Sequence, residues 1–206
     1  MNHPPLFTRE ELALIADTTF FPAKTIITRK VKQMLERLHA VLSAELADRT
    51  LIVPPGFDAD SVQFVKGEHL EDFPYQYLDF PRFFSRENTF AFRSLFWWGH
   101  HVVFALMLAG INLRRYKENL FNRYADVADR RLVLCLSPSF WEWKEGPGLT
   151  LDLTRANKSQ VAAVLANRPS IKVARFVSLT DPIVQSGQWI DVGLAAFRGM
   201  LPIVTE

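Results

Sequence analysis

The chain has 206 residues, of which 49% are hydrophobic and 22% charged, a composition typical of a globular protein. Its formal net charge of +2 gives no reason to expect binding to nucleic acid or to an anionic lipid surface. The single cysteine, Cys135, excludes an internal disulfide and is typical of a reducing compartment. Because the N-terminus lacks the basic and apolar segments of a signal peptide, we expect a cytoplasmic protein.

The chain contains no linker rich in Gly, Ser or Pro and no low-complexity run, so we predict one globular domain over residues 1–206. Within it we expect an N-terminal helical segment at about residues 8–49 and a sheet-containing core at about residues 51–206. Thr8 and Glu11 have the spacing of a capping box and predict a short first helix.

A long second helix is the clearest element of the sequence. Pro22 fits its first turn, where the missing N–H costs nothing, and we predict that it runs to about Arg49. Its apolar residues recur at intervals of three and four along one stripe. They are Ile27, Val31, Met34, Leu35, Leu38, Val41, Leu42 and Leu46. Any part of this stripe left uncovered would form a surface for a homodimer.

The next segment is predicted to be mostly irregular. Leu51–Val53 indicates a short strand, and residues 57–73 are polar. Residues 75–80 then alternate as in a strand that Pro81 stops, and residues 81–88 form an aromatic linker. The polar segment contains an acidic cluster around His69, with metal-compatible atoms but no recognised ligand spacing, and we interpret it as a surface loop. Its members are Glu68, Glu71 and Asp72.

The most apolar stretch, residues 90–110, reads FAFRSLFWWGHHVVFALMLAG. Its first half alternates an almost wholly aromatic set with a set that carries one charge, Arg93, which is typical of a strand. Val102 to Ala109 is apolar on both faces and predicts a central strand. We therefore predict two strands that break near Gly99 and end at Gly110. A transmembrane helix is the alternative, but the histidine pair and the nearby arginine favour a soluble core.

Short helices and strands alternate after this stretch. Asn112 is a candidate cap for a helix reaching Val127, and residues 132–136 form a compact apolar strand. Residues 140–143 and 149–153 indicate a hairpin. The remaining predicted elements are a short helix opened by Asn157 and Gln160, a strand at Ile171–Leu179, and a final helix with Ile190, Leu194, Phe197 and Leu201. This order predicts an α+β protein with an antiparallel or mixed sheet and helices packed mainly on one face.

His100 and His101 are the most visible polar groups of the central stretch. Adjacent residues on a strand point to opposite faces, so a regular strand would not present the pair to one metal ion. A turn at Gly99 would let one of them face a pocket, where a pKa near ~6.5 suits general acid–base chemistry with Asp79. The alternative is a turn histidine beside a buried, hydrogen-bonded one.

A second set of residues indicates a ligand pocket beside the central strands. Arg82 and Arg93, together with Arg86 and Asp79, combine guanidinium groups and a carboxylate close to aromatic residues, which suits an anionic ligand. Structural ion pairs would use the same residues. Tryptophans that would line such a pocket are Trp97, Trp98, Trp141 and Trp143, with Phe140 beside them. Core packing is the alternative role of these aromatic side chains.

No motif identifies a cofactor or a metal site, and no stretch matches a family whose activity could be transferred to this chain. We predict a non-enzymatic protein that binds a small molecule or a protein partner through the aromatic, arginine and histidine pocket. A cryptic hydrolase with a His and Asp acid–base pair is the alternative, and membrane attachment through exposed tryptophans is a third. Glutamates lie among the basic residues near the tryptophans and reduce the local positive charge, which disfavours nucleic acid as a partner.

Overall fold

A seven-stranded, wholly antiparallel sheet lies at the centre of the computed structural model, which describes residues 6–206. Its strands are β1 (Gln63–Leu70), β2 (Phe73–Phe84), β3 (Thr89–Trp97), β4 (His101–Ala109), β5 (Val133–Cys135), β6 (Thr150–Asp152) and β7 (Ser170–Ser178). They are ordered β1-β2-β3-β4-β7-β5-β6 across the sheet. The first four strands form a meander, and β7 separates β4 from the short β5–β6 pair.

Helices precede, interrupt and follow the strands. They are α1 (Arg9–Ile15), α2 (Phe20–Leu46), α3 (Leu113–Asn122), α4 (Tyr124–Val127), α5 (Lys158–Ala166), α6 (Pro182–Ser186) and α7 (Trp189–Val204), with a 3-10 turn at Arg155–Asn157. The predicted α+β class and the long N-terminal helix are confirmed. None of the helices within residues 6–206 is long and apolar enough to cross a membrane.

The main core lies between one face of the sheet and the helices. The aromatic face of β3 points into it, with Phe90 and Phe92, while Leu38 and Leu42 enter from α2 and Phe197 from α7. The alternation predicted for residues 90–97 therefore places its aromatic set against the helices. α7 approaches β4 closely because Gly193 has no side chain, and a Cβ there would lie 2.6 Å from the Phe104 ring.

A loop, not a helix, covers the opposite face of the sheet. The smaller apolar cluster on this face includes Leu95, Trp97 and Met107 from the central strands and Trp143 from residues 136–149. We call residues 136–149 the covering loop. Helices on one face were predicted; a second, loop-covered core on the other was not.

The central stretch folds as predicted, into β3 and β4 joined by a turn in which Gly99 has a φ of 72°. Side chains seldom tolerate this left-handed conformation, which explains the position of the break. Gly110 also has a positive φ, 97°, and ends β4. The capping box of Thr8 and Glu11 is present as well, with both of its hydrogen bonds.

Three predictions about the sheet were wrong. Residues 63–70 form β1 rather than a loop, because an edge strand that is half exposed keeps many polar side chains. β2 continues through Pro81 at a shift of register between Asp79 and Arg82, a position where the missing N–H of proline is tolerated. Residues 140–143 do not form a hairpin with 149–153; instead β6 pairs with β5.

Smaller differences concern element ends. Leu51 forms an isolated bridge with Thr205 rather than a strand. The helix predicted from Asn112 to Val127 divides at Arg123 into α3 and α4, and the Asn112 side chain forms no capping hydrogen bond. Asn157 likewise precedes α5 without capping it through its side chain.

Candidate functional site

The register of β2 and β3 brings Asp79 and Arg93 together. The two residues are paired across the strands, and their side chains lie on the loop-covered face of the sheet. Arg93 Nε donates to Asp79 Oδ1 and Arg93 Nη2 to Asp79 Oδ2, both over 2.7 Å. Asp79 is fully buried and Arg93 is 5% exposed. A bidentate pair of this kind uses both carboxylate oxygens, so Asp79 has a structural partner at each of them.

Aromatic rings surround the Arg93 guanidinium on its other sides. Its carbon lies 3.8 Å from the ring centre of Tyr77, 5.0 Å from Trp141 and 5.5 Å from Trp143. These distances are within the range of cation–π attraction. We call Asp79, Arg93, Tyr77, Trp141 and Trp143 the Arg93 cluster. Because two of its rings belong to the covering loop, the cluster fastens that loop to the sheet.

Lys172 and His101 hold the same loop by hydrogen bonds. Lys172 Nζ donates to the carbonyl oxygens of Phe140, over 3.0 Å, and of Glu142. His101 Nε2 donates to the Trp143 carbonyl oxygen over 2.7 Å. Burial lowers the pKa of Lys172 and that of His101, because a charged side chain loses hydration there. Both side chains therefore have defined structural partners on the loop.

His100 has a different environment from its neighbour. Its ring stacks on Trp97 with centres 3.6 Å apart, and its Nε2 is buried without a hydrogen-bond partner in the described chain. Within residues 6–206, neither histidine is hydrogen-bonded to Asp79 or to any other carboxylate. The predicted acid–base residues thus lie on the loop-covered side of the sheet but are not joined as a catalytic pair.

The other predicted ligand-binding residues are spread around this region. Arg82 follows Asp79 on β2, with its guanidinium 5.5 Å from the Phe84 ring and its Nε buried without a partner in the described chain. Trp97 is 1% exposed and donates from its ring nitrogen to the Leu70 carbonyl. Trp98 is half-buried in the β3–β4 turn, and Trp141 is 59% exposed. Residue 86 lies in the β2–β3 turn, away from the cluster.

Two further features singled out in the sequence have structural roles. Cys135 is buried, and burial raises its pKa to about 11, so its thiol is protonated at neutral pH. Glu68 pairs with Lys24 of α2, and Glu71 pairs with Lys144 over 2.8 Å. Among residues 6–206, no group of three or more His, Cys, Asp or Glu side chains is placed to hold a metal ion.

An open groove lies elsewhere, between α2 and the β1–β2 hairpin. It has a volume of about 430 Å³, within the usual range for small-molecule sites. We call it the seam groove. Its apolar surface comes from residues such as Leu35 and Phe64, and three basic side chains surround it: Arg29, Lys32 and Lys66.

The basic residues of the seam groove are only partly neutralised. Lys32 lies 3.6 Å from Glu36, and Lys66 lies 3.5 Å from a Glu68 that also pairs with Lys24. Arg29 forms no ion pair with a carboxylate of the described residues. A positive charge excess at a partly apolar groove favours an anionic ligand that also has an apolar part.

Gln76 supplies a buried polar group to the same groove. It is 5% exposed, and its Nε2 donates to the Thr28 carbonyl oxygen over 3.1 Å. Because a carbonyl only accepts hydrogen bonds, this contact fixes the orientation of the amide. Its Oε1 has no hydrogen-bond partner in the described chain. A ligand donor that reached this oxygen would satisfy an acceptor whose isolation costs free energy.

Sequence reasoning missed the seam groove for two reasons. Charged residues on a helix opposite its apolar stripe are usually solvated, so Arg29 and Lys32 gave no sign of a site. Lys66 lies in the segment that was predicted to be mostly irregular. Residues 63–70 show no regular alternation of apolar and polar residues, so the sequence carried no clear signal of an edge strand beside a helix.

No protein-family model matches the sequence, and comparisons with curated proteins and with solved structures gave no significant match.

Proposed function

We propose that this protein is a non-enzymatic binding protein that takes a small amphipathic anion in the seam groove. One observation carries the proposal: the groove combines apolar walls with three basic residues, of which Arg29 has no carboxylate partner in the described chain. A carboxylate or phosphate head would lie at the basic side, and an aliphatic or aromatic body would contact Leu35 and Phe64.

The Arg93 cluster supports binding at the seam groove rather than beside the central strands. The positions around Arg93 that an anion or an aromatic ligand would occupy are taken by Asp79 and by the rings of Tyr77, Trp141 and Trp143. A ligand in that place would have to displace part of the covering loop. The seam groove requires no such rearrangement.

The same geometry favours binding over hydrolysis. A general base needs a hydrogen-bond route to the proton that it removes and an orienting partner of its own. Asp79 is committed to Arg93, and His101 donates to a backbone carbonyl. The combination of His100 or His101 with Asp79 would therefore require the buried ion pair to open.

The test is calorimetric titration of the full chain with decanoate below its micellar concentration. Decyltrimethylammonium, which has the same chain length and the opposite charge, is the matched ligand. We expect decanoate to bind and the cation to bind at least tenfold more weakly, since each tenfold step corresponds to ~1.4 kcal/mol. Binding of decanoate should weaken as salt is added.

Matched variants locate the site. Arg29→Ala combined with Lys66→Ala should weaken decanoate binding about tenfold or more, because two partly exposed ionic contacts contribute up to ~1 kcal/mol each. Arg86→Ala combined with Arg114→Ala removes the same charge from exposed positions elsewhere and should leave binding unchanged. Equal affinity for both ligands, no binding of decanoate, or equal loss in the two double variants would overturn the proposal.

A further inference from the structure

The N-terminal part of the described chain is helical but has no packed core of its own. Residues 6–30, which we call the arm, comprise α1, a short corner and the first three turns of α2. α1 has no buried residue, and the first buried residue of α2 is Val31. The rest of α2 packs on the sheet through Val31, Leu35, Leu38 and Leu42.

Local polar contacts nevertheless fix the shape of the arm. Thr8 and Glu11 form the capping box that begins α1. At the corner, Asp17 Oδ1 accepts hydrogen bonds from the backbone N–H groups of Thr19, over 2.7 Å, and Phe20, over 3.2 Å. The hydrogen bond from the Thr19 hydroxyl lowers the pKa of Asp17, and these two backbone hydrogen bonds lower it further. The sequence therefore specifies a defined helical corner rather than an unstructured tail.

Apolar side chains of the arm are largely exposed, and among the aromatic rings of the described chain Phe20 and Phe21 contact only each other, with ring centres 5.3 Å apart. Nine of them are each at least 39% exposed: Leu6, Phe7, Leu12, Leu14, Ile15, Phe20, Phe21, Ile26 and Ile27. If a fully exposed side chain of this kind offers roughly 100–200 Å², their exposed surface is on the order of 500–1,000 Å², comparable with the ~800 Å² that each partner contributes to a standard interface. Exposed apolar surface of this extent on one helical corner indicates an interaction site.

We infer that the arm pairs with the arm of a second copy of this chain, around a twofold axis. The two halves of the arm carry opposite charge: residues 6–19 contain one basic and three acidic residues, and residues 20–30 contain three basic residues and no acidic one. Lys24 in the second half is paired with Glu68 of β1, so Arg29 and Lys30 supply its remaining positive charge. A twofold contact can place the acidic half of one copy against the basic half of the other. An anionic membrane would instead meet the acidic half, and helices that lie on membranes usually carry a basic polar face.

The experiment is sedimentation velocity of the full chain over a range of concentrations. We expect wild type to sediment with twice the 23.6 kDa mass of one chain. Leu14→Lys combined with Phe21→Lys should raise the dissociation constant at least a hundredfold. Ile111→Lys changes a residue that is 70% exposed elsewhere, and it should leave the dimer intact.

A second variant separates loss of pairing from loss of α1. Ile26→Lys lies on α2, whose helix is held by its packed C-terminal half, and it should also weaken the dimer while circular dichroism stays unchanged. A monomeric wild type overturns the inference, even if it binds vesicles of phosphatidylcholine and phosphatidylserine. A dimer that survives both sets of arm variants overturns it too. Arg29 belongs to both the arm and the seam groove, whereas Leu14 and Phe21 do not line the groove. Decanoate binding measured on the Leu14→Lys and Phe21→Lys double variant therefore separates failure of pairing from failure of the seam groove.

Discussion

The Arg93 cluster and the seam groove contain similar residues, but the basic side chain is buried and fully paired in the first and exposed in the second. Both place basic side chains near aromatic ones on the β1–β3 part of the sheet. In the cluster, Arg93 is buried and has a bidentate carboxylate and three rings around it. In the groove, Arg29 is exposed and has no carboxylate partner in the described chain. Residue type alone therefore does not distinguish a structural site from a binding site. What distinguishes them is whether the charged side chain already has all of its interaction partners within the protein.

The largest expected difference between the two regions comes from removing one charged side chain from each. Asp79→Ala leaves the Arg93 charge buried without its carboxylate, and we expect a loss of ~3–5 kcal/mol in the free energy of unfolding. Arg29→Ala should leave that free energy unchanged within error. Urea denaturation followed by circular dichroism measures both. Equal effects of the two substitutions would mean that the number of partners around a basic side chain does not distinguish the Arg93 cluster from the seam groove.

An aromatic substitution in each region should show a smaller contrast. Trp143 is 4% exposed and touches the charged groups of Arg93 and Lys172, so Trp143→Ala should cost ~3–5 kcal/mol. Phe64 is 40% exposed in the groove, and Phe64→Ala should cost only about 1 kcal/mol. The same urea measurement applies. A cost at Phe64 as large as that at Trp143 would show that the groove wall is part of the core.

The smallest expected effect is a pH dependence. Burial lowers the pKa of His101 in the folded protein, so the unfolded chain binds a proton first as the pH falls below ~6.5. The free energy of unfolding should therefore decrease as the pH falls from 7 toward the folded-state pKa. His101→Gln keeps a donor for the Trp143 carbonyl and should flatten this decrease. His69→Gln, at an exposed position, serves as the control and should keep the wild-type slope.

The sequence was most informative where the apolar residues followed a single regular spacing. Alternation at residues 90–97 and a continuous apolar run at 102–109 predicted β3 and β4, and the three-and-four spacing predicted α2. β1 was missed because an edge strand needs few apolar residues. The prediction of a hairpin between residues 140–143 and 149–153 was wrong, because Trp143 packs as part of a loop and β6 pairs with β5.

The candidate sites depend on contacts that local patterns do not encode. For Asp79 and Arg93, an ion pair was one of the two roles that the sequence left open. The structure adds that the two residues lie opposite each other on β2 and β3. The seam groove joins Arg29 to Lys66, 37 residues apart, because α2 packs on β2 of the β1–β2 hairpin. Only the tertiary arrangement shows that these basic residues share one groove with Gln76.

The position of β7 has a consequence for synthesis of the chain on the ribosome. The meander β1-β2-β3-β4 can form from consecutive residues, but β5 pairs with β7 and β6, not with β4. Residues 133–152 therefore leave the ribosome before the strand that will join them to the sheet. Until residues 170–178 emerge, β4 presents an unpaired edge to its surroundings, and open strand edges of this kind are the sites where nascent chains recruit chaperones or pair wrongly.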